Sequence, residues 1–467
     1  MAVTVIDWRM GDPDFWWHIA DGHYILQHLT LPQFSPWVFG AVATHHWTMA
    51  EWLSEVWMSA VGLYGVIFIC AALFAAVCVV GVWRARTLGG KMAPMAMMIP
   101  FVTALLGWAE LAPRDQMATT LGVALMAMVC ERQIVGKKVW WWLLPPAYAL
   151  WANLHPGFVV GLGIWFVAIL VWWWEGRRGK STPALRVNLI WWAASCAATL
   201  LTPYGFKLWI YIASTLHGGA AAYIQEWQSP NFHWVTFAPI LLLVIVGLPL
   251  AWSRLSLLAK IWIVVSLGAS LYSGRNVELL GVIAAPLLVL AWMAAWQDKA
   301  WRPNLREPTW LFGVLAIALT GLAVYNVTTE AVAPFTNSID PVSAVQVLNT
   351  QYPPGLRIFP TYNNAGYILE HLPQDKVWLY GDNALTGGKV LGEYVNINNL
   401  GRGWEKQLRA IGADIVITQP GSPLASALQL IPGCRLIYNK YQWMVFTGAG
   451  PSCPVQPIAQ FLDHKVS

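Results

Sequence analysis

Charged residues are scarce in this sequence. Asp, Glu, Lys and Arg make up only 11% of the 467 residues, whereas 57% are hydrophobic and 31 are tryptophans. The mean hydropathy is +0.51, which is typical of a protein in a lipid bilayer rather than of a large soluble core. The net charge is only +5, which gives no support for a nucleic-acid partner. We therefore predict an integral membrane protein.

Cysteines and nucleotide-binding motifs are also few. None of the six cysteines forms a Cys-x-x-Cys pair, and four of them lie in or beside apolar runs, where we interpret them as packing residues. Cys434 and Cys453 lie in a hydrophilic tail and could form a disulfide if that tail is outside the cytoplasm. The tail contains neither Gly-x-Gly-x-x-Gly nor a P-loop, so no nucleotide site is indicated there.

Apolar runs predict a bundle of about ten membrane-spanning helices over residues 64–330. They lie at about 64–83, 92–108, 116–130, 139–153, 157–174, 188–203, 236–252, 257–272, 277–296 and 309–326. Several are close to or below the ~17–25 residues that a spanning helix needs. Residues 1–63 contain no convincing span, only a mixed helix over 22–31 and an amphipathic helix over 51–63.

The charges of the loops alternate along the bundle and predict its orientation. One set of loops holds most of the basic residues, namely Arg84, Arg86, Lys91, Arg132, Lys137, Lys138, Arg177, Arg178, Lys180, Arg186, Arg254, Lys260, Lys299, Arg302 and Arg306. The opposite loops hold only Arg114, Lys207 and Arg275. Basic loops face the cytoplasm, so residues 1–63 and the tail are predicted to be outside. Because such an external segment ordinarily follows a signal or first span, we expect the natural chain to begin upstream; translocation of a short N-terminus is the alternative.

After Glu330 the composition becomes that of a small soluble domain over 331–467. Helices are predicted to begin at Pro341 and over 365–371, 404–411 and 423–430, and strands over 356–359, 377–380 and 414–418, with a terminal strand pair over 436–438 and 443–446. Strands that alternate with helices indicate a small α/β sheet. We therefore predict a polytopic α-helical membrane protein with a C-terminal, extracytoplasmic α/β domain.

The most polar stretch begins at Asp12 and reads Asp-Pro-Asp-Phe-Trp-Trp-His. A helix from about residue 14 places Asp14, His18 and Asp21 on one face. That spacing suits a metal-ligand set or a general base with an orienting partner. Two plainer interpretations stay open: Asp14 caps the helix, or His18 is an interfacial residue bonded to a carbonyl.

Further polar residues fall at the predicted outer ends of the spans. They are Glu51, Arg114, His155, Glu226 and Arg275. Ionisable groups at membrane depth are costly, so each marks a site, a pair or a pathway. Arg114 has an alternative partner in Glu110, four residues before it, and Arg275 has an alternative role as a snorkelling residue at a helix end.

Together these motifs resemble a known family. The matching segments are Asp12–His18, Glu51–Ser54, Trp151–His155, Thr202–Gly205, Glu226–Pro230, Arg275 with Asn276, and Asn364, Gly366 and Tyr367. They resemble a largely uncharacterised bacterial branch of the GT-C-type membrane glycosyltransferases, near the protein mannosyltransferases and aminoarabinose transferases. The resemblance implies a GT-C-like bundle in the bacterial inner membrane, and sugar transfer with inversion from a polyprenyl-phosphate donor to an extracytoplasmic acceptor.

The resemblance also suggests roles for the polar residues. Asp12 or Asp14 would act as the general base, with Arg114 and Arg275 holding the phosphate; His18, Glu51, His155 and Glu226 would line the substrate site. No cofactor is required, but a divalent cation, Mg or Mn, would find ligands in Asp14 and His18. The alternative function is a non-catalytic component that binds or transports a lipid-linked glycan during envelope polysaccharide assembly.

Overall fold

The computed structural model describes residues 14–89, 92–107, 112–217, 219–233, 237–297 and 339–458. Its contacts divide the chain into two compact units. The first, here called the membrane unit, comprises the described parts of Leu63–Leu208 and Gln225–Val332. The second, here called the tail unit, comprises those of Met10–Gly62, Trp209–Ile224 and Ala333–Ser467. The predicted division into three domains, with boundaries at residues 63 and 330, stays a prediction.

Helices dominate the described residues. In chain order they are α1 (Phe15–His28), α2 (Trp52–Thr87), α3 (Met92–Gly107), α4 (Gln116–Ile134), α5 (Leu144–Leu154), α6 (Phe158–Arg177), α7 (Leu185–Ala198), α8 (Phe206–His217), α9 (Ala238–Leu242), α10 (Leu248–Ala251), α11 (Leu257–Tyr272), α12 (Val277–Gln297), α13 (Val342–Gln351), α14 (Ala365–His371), α15 (Asn383–Asn398), α16 (Trp404–Ile411) and α17 (Pro423–Leu430). A π-helical segment, Leu243–Gly247, joins α9 to α10.

Among the described residues, three helical segments are long and apolar enough to cross a membrane. They are Trp52–Thr87, Phe158–Arg177 and Gly274–Ala295, and shorter apolar helices cover Met98–Gly107, Ala238–Arg254 and Leu257–Tyr272. Each of these segments overlaps a predicted run; the run over 309–326 lies outside the described residues. The chain is therefore a polytopic α-helical membrane protein, as predicted.

Glycine and proline set two of the helix boundaries. The amphipathic helix predicted over 51–63 and the following span meet at a kink within α2, where the backbone of Gly62 leaves the helical region (φ 66°, ψ −176°). That left-handed φ is readily adopted by glycine. Pro145 and Pro146 stand in the first turn of α5, where a proline loses no hydrogen bond. Helix α5 therefore begins at Leu144, five residues later than the predicted run.

A fully buried ion pair joins three helices of the membrane unit. Arg84 in α2 is 0% exposed and donates from Nε and Nη2 to the carboxylate of Glu131 in α4, with the shortest bond 2.8 Å. Its Nη1 donates to the carbonyl of Val282 in α12 at 2.6 Å. Pro286 stands four residues after Val282 and has no N–H to offer that carbonyl. Arg84 thus supplies the donor that Pro286 lacks. The prediction that Arg84 lies in a loop was wrong, because the residue belongs to α2.

The tail unit contains a five-stranded mixed sheet. Its strands are β1 (Arg357–Phe359), β2 (Lys376–Val377), β3 (Ile415–Thr418), β4 (Cys434–Lys440) and β5 (Trp443–Gly448), in the spatial order β2-β1-β3-β5-β4. The first three strands are parallel, whereas β5 is antiparallel to both β3 and β4. The predicted α/β sheet and terminal strand pair are confirmed. Helix α15 was not predicted, because Gly387 and Gly388 interrupt its apolar pattern.

Two links hold the tail unit together. Val38 forms a parallel bridge with Val377 at the end of β2, so the N-terminal segment extends this edge of the sheet. Cys434 and Cys453 form a disulfide, as considered from the sequence, whereas the other four cysteines, all among the described residues, are not disulfide-bonded. Residues before α2 and residues after position 339 therefore belong to one folded unit.

Helices α1 and α2 cross at close range, and Gly22 is the residue that permits this. A Cβ built on Gly22 would lie 2.0 Å from the carbonyl oxygen of Glu55 and 2.0 Å from Oγ of Ser59. Ser59 also donates a hydrogen bond to the carbonyl of Ile19 at 2.8 Å, which fixes the crossing. Both helices would have to separate to admit a methyl group.

We expect Gly22→Ala to lower the free energy of unfolding by about 1–3 kcal/mol, the usual cost of overpacking a tight contact. Thermal unfolding in detergent measures it. Gly163→Ala is the matched control, because no atom lies within 4 Å of the corresponding Cβ, and we expect a neutral or slightly stabilising effect of up to about 1 kcal/mol. Equal shifts in both variants would contradict the role of Gly22.

Candidate functional site

Three consecutive residues at the start of α4 each join a different polar network in the membrane unit. Arg114 and Asp115 precede the helix and Gln116 is its first residue. Successive residues at a helix start point in directions about 100° apart. The Arg-Asp-Gln sequence can therefore bring three separate groups to one end of the bundle.

The first network centres on Glu226, in a 3₁₀ turn formed by Gln225–Trp227. Arg114 donates from Nη1 to Oε2 of Glu226 at 3.1 Å, and Arg275 donates from Nη1 to Oε1 at 2.6 Å. Ser273 donates to the backbone carbonyl of the same glutamate at 3.1 Å. One carboxylate thus holds two guanidinium groups together, and the three side chains carry a net charge of one positive unit.

The electrostatics of this cluster favour the ionised form of Glu226. Burial raises the pKa of Glu226, but the charges of Arg275 and Arg114 and the hydrogen bond from Arg114 outweigh this effect and lower the pKa from 4.5 to about 2. Because the folded-state pKa is below the unfolded value, the cluster stabilises the fold above pH about 4.5 and loses that contribution as the pH falls through about 2.

The second network is buried beside the first. Gln116 donates from Nε2 to Oε2 of Glu278 at 3.1 Å, and Thr120 donates to Oε1 of the same glutamate. Glu278 is 2% exposed and opens helix α12, next to Arg275. Gln116 therefore links the start of α4 to the start of α12 and helps to position the backbone that carries Arg275.

The third network fixes the tautomer of His155. The backbone N–H of Gly157 donates to Nδ1 of His155 at 2.9 Å, so Nδ1 is an acceptor and the proton of the neutral ring is on Nε2. That Nε2 lies 3.9 Å from Oδ2 of Asp115. Thr119 is 2.8 Å from Nδ1 and accepts a bond from the indole of Trp151 at 3.0 Å. The Trp151–His155 motif thus orients an N–H toward an acidic side chain.

In the tail unit the polar face of α1 meets α2. Asp14 stands at the N-cap position without a capping hydrogen bond from its side chain, and its Oδ1 accepts from the indole of Trp17 at 2.9 Å. His18 Nδ1 lies 3.8 Å from Oε1 of Glu55, and both side chains are almost fully buried. Ligand atoms of His18 and Glu51 lie within 4.8 Å of each other. The carboxylates of Glu51, just before α2, and Glu55, in its first turn, therefore lie near one imidazole.

Asp21 is the most deeply buried acid of this face, at 0% exposure. Its Oδ1 accepts from the indole of Trp37 at 2.7 Å, and its Oδ2 has no hydrogen-bond partner among the described residues. Burial, followed by the charge of Asp382, raises the pKa of Asp21 well above its ordinary value, against the effect of the Trp37 bond. Asp382 itself accepts a hydrogen bond from the indole of Trp47.

We expect Asp21→Asn to stabilise the protein near neutral pH, because the amide retains an acceptor for Trp37 and carries no charge. An acid whose pKa is raised on folding destabilises the fold increasingly as the pH rises above its unfolded value, here about 3.8. The two proteins should therefore unfold at similar temperatures near pH 4 and diverge above it. Asp21→Ala removes the acceptor and should be destabilised by about 1–3 kcal/mol; equal losses in both variants would contradict the effect of charge.

Comparisons with known proteins identify the architecture that carries these networks. No family model matches the chain, and no curated protein matches it in sequence. Among solved structures, the crystal structure of the Archaeoglobus fulgidus oligosaccharyltransferase, tethered by a disulfide bond to an acceptor peptide with the NVT sequon, matches with a TM-score of 0.52 and 12% identity. The match covers 88% of this chain and 65% of that chain. The chain has a GT-C-type fold. At this identity the likeness extends to the fold alone.

Within the membrane unit, the GT-C-type fold brings together several of the predicted site residues. Arg114, Glu226 and Arg275 meet directly, so Arg275 is paired rather than snorkelling; Glu110 and Asp12 lie outside the described residues. His155 belongs to a separate network of the same unit. His18 lies near Glu51 in the tail unit, whereas the carboxylate of Asp14 is bonded to Trp17.

Sequence reasoning singled out Asp115 beside Arg114 but missed several other members of these networks. They are Glu55, Gln116, Glu278 and Asp382. One signal was available: Glu51 and Glu55 are four residues apart and share a helix face. Asp382 had no local signal, because its relation to Asp21 comes from the fold of the tail unit.

Proposed function

We propose that this protein is a membrane glycosyltransferase. It transfers a sugar from a polyprenyl-phosphate-linked donor to an acceptor on the extracytoplasmic side of the bacterial inner membrane, with inversion at the anomeric carbon. Support comes from the GT-C-type fold, from the polar networks at one end of the membrane unit, and from the loop charges that predict this end to be outside. The tail unit, which the loop charges predict to be outside the cytoplasm, would then be a periplasmic domain.

The pair of arginines around Glu226 is the observation that carries this proposal. A phosphate leaving group develops negative charge as the glycosidic bond breaks, and a prearranged guanidinium stabilises that charge. Glu226 carries one negative charge, whereas Arg114 and Arg275 together carry two positive charges. Arg114 and Arg275 are 11% and 26% exposed, so both are partly accessible to a ligand while their positions are fixed. Arginine also offers several donors in a planar fork suited to phosphate oxygens.

Of the two candidates for the general base, Asp12 and Asp14, only Asp14 lies among the described residues. In the transfer, a base removes the proton of the acceptor hydroxyl, its oxygen forms the new bond to the anomeric carbon, and the phosphate departs with the electron pair of the old bond. Asp14 is half-buried, and the Trp17 indole holds one carboxylate oxygen. Gly381 lies against the same oxygen, since a Cβ there would be 2.4 Å away. This carboxylate is therefore oriented and partly open, unlike that of Asp21.

A divalent cation fits the residues around His18. His18 offers an imidazole nitrogen, Glu51 offers a carboxylate immediately before α2, and Glu55 offers one from its first turn. Mg and Mn prefer oxygen ligands, and an added imidazole is compatible with Mn. Asp14, which the sequence pairs with His18, accepts a hydrogen bond from the indole of Trp17. A bound cation would supply charge to hold a phosphorylated substrate.

Transfer of labelled sugar from a polyprenyl-phosphate donor pool to a membrane acceptor tests this function. Wild type is compared with Asp14→Asn and Asp12→Asn in membranes containing equal amounts of protein. We expect one of the two variants to lose about 10²–10⁴-fold in rate, the usual contribution of a general base, with its unfolding temperature unchanged. Absence of transfer by the wild type with every donor, together with retained binding of a lipid-linked glycan, would instead support the non-catalytic alternative.

A further inference from the structure

A cleft of about 640 Å³ opens in the membrane unit, away from the networks described above. It lies between the C-terminal turns of α2 and α4, the loop that follows α4, and the start of α5. Its lining includes four basic residues, Arg86, Arg132, Lys137 and Lys138, together with Trp83 and Trp140. We propose that this cleft binds the headgroup of an anionic phospholipid.

The charge of the cleft indicates an anionic ligand. No acidic residue is among those that line it, and Arg86, Lys137 and Lys138 form no ion pair within the described part of the chain. Arg132 donates from Nε and Nη2 to the carbonyl of Lys138, at 3.3 and 2.9 Å. These bonds fold the loop back toward α4 and neutralise none of the positive charge. The cleft is therefore lined by four cations, of which Arg132 is held in place by the loop backbone.

The apolar part of the lining distinguishes a lipid from a small soluble anion. Trp83, Trp140 and Leu143 are 52%, 60% and 38% exposed. Met128, Val129 and Leu144 also line the cleft. Tryptophan is favoured at the level of lipid headgroups, because its ring is apolar and its N–H is polar. A ligand with an anionic head and acyl chains would contact both kinds of surface.

The position of the cleft also fits a membrane interface. Helix α4 carries Gln116 at one end and Arg132 at the other, and 16 residues of helix span about 24 Å. That distance is close to the hydrocarbon thickness of a bilayer, about 30 Å. The loop charges predict the cleft end to be cytoplasmic, where basic pockets between helices bind anionic headgroups. The cleft is thus on the opposite side from the Glu226 network.

Native mass spectrometry of the full chain in detergent micelles tests the proposal, with phosphatidylglycerol and phosphatidylcholine as probes of equal acyl length. We expect phosphatidylglycerol to bind at least about tenfold more tightly. Lys137→Gln with Lys138→Gln should weaken its binding about 30-fold, since each basic residue near the surface contributes about fivefold. Arg177→Gln with Arg178→Gln is the matched control, because it removes the same charge from guanidiniums that stack on Trp173 and Trp174 outside the cleft.

The outcomes separate the sources of the anion. Equal binding of both lipids, or equal weakening by both double variants, would overturn the proposal. Inorganic phosphate at the same phosphate concentration should not displace phosphatidylglycerol, because it lacks acyl chains. Displacement by inorganic phosphate would assign the cleft to a soluble phosphate instead. The charge-retaining variant Lys137→Arg with Lys138→Arg should bind phosphatidylglycerol as the wild type does, which controls for misfolding.

Discussion

Arg275→Gln is expected to lower the rate of sugar transfer by about 10²–10³-fold, the cost of removing one prearranged group that stabilises developing charge. Arg275 is bonded to Glu226 at 2.6 Å and so is held in place before any donor binds. If its charge acts on the leaving phosphate, the loss falls mainly on kcat, whereas a role in uniform binding raises KM. Steady-state kinetics with a polyprenyl-phosphate sugar measure both.

Two controls make this result interpretable. Arg177→Gln removes an arginine that packs on Trp173, away from the Glu226 network, and should leave transfer unchanged. In Arg275→Gln, burial of Glu226 is opposed by fewer positive charges, so the pKa of Glu226 should rise above its present value of about 2. On acidification, the variant should therefore begin to lose thermal stability at a higher pH than the wild type does. An unchanged transfer rate in Arg275→Gln would contradict the phosphate-binding role.

Arg84→Met is expected to lower the free energy of unfolding by about 3–5 kcal/mol, the cost of leaving one member of a buried ion pair without its partner. The substitution leaves the Glu131 carboxylate buried, and it also removes the donor that the Val282 carbonyl receives from Arg84. The measurement is the unfolding free energy in mixed micelles.

Further substitutions separate the cost of the unpaired Glu131 carboxylate from the cost of the Val282 carbonyl that has lost its donor. Arg84→Met combined with Glu131→Leu removes both charges and should recover most of the stability, because apolar replacements of a buried pair are often tolerated. Adding Pro286→Ala provides a helical N–H for the Val282 carbonyl and should recover more. Pro286→Ala by itself, with Arg84 in place, is expected to have a smaller effect. A double variant as unstable as Arg84→Met would contradict this account.

Local sequence patterns predicted most helices and strands of the tail unit correctly, but they predicted few of the tertiary contacts between side chains. Helices α14, α16 and α17 lie where apolar periodicity, glycine and proline place them, because these signals act over a few residues. Helix α8 was missed: Phe206–His217 falls in a predicted loop, and its length is too short for a spanning run. Boundaries in the bundle moved where Pro145, Pro146 or Gly62 imposed a backbone geometry.

The candidate site shows the same limit. Arg114, Glu226 and Arg275 were each singled out because charge is rare in this chain, but their convergence depends on segments more than 40 residues apart in sequence. Arg114 was paired with Glu110 only because the two are one helical turn apart. Arg84 was placed in a loop because the apolar run before it ends at residue 83. No local pattern shows that Pro286 leaves the distant Val282 carbonyl without a helical donor, which is the role that keeps Arg84 inside the bundle.

The bridge between Val38 and Val377 has a consequence for biosynthesis. Trp16 packs against Tyr367 and His371, so α1 also depends on residues near the far end of the chain. Roughly 280 residues separate α2's N-terminal half from the tail, and at ~5–20 residues per second their translation takes about 15–60 s. During that time the segment before α2 lacks the sheet edge on which it folds. The nascent protein must therefore complete insertion of its helices before this early segment can reach its final structure.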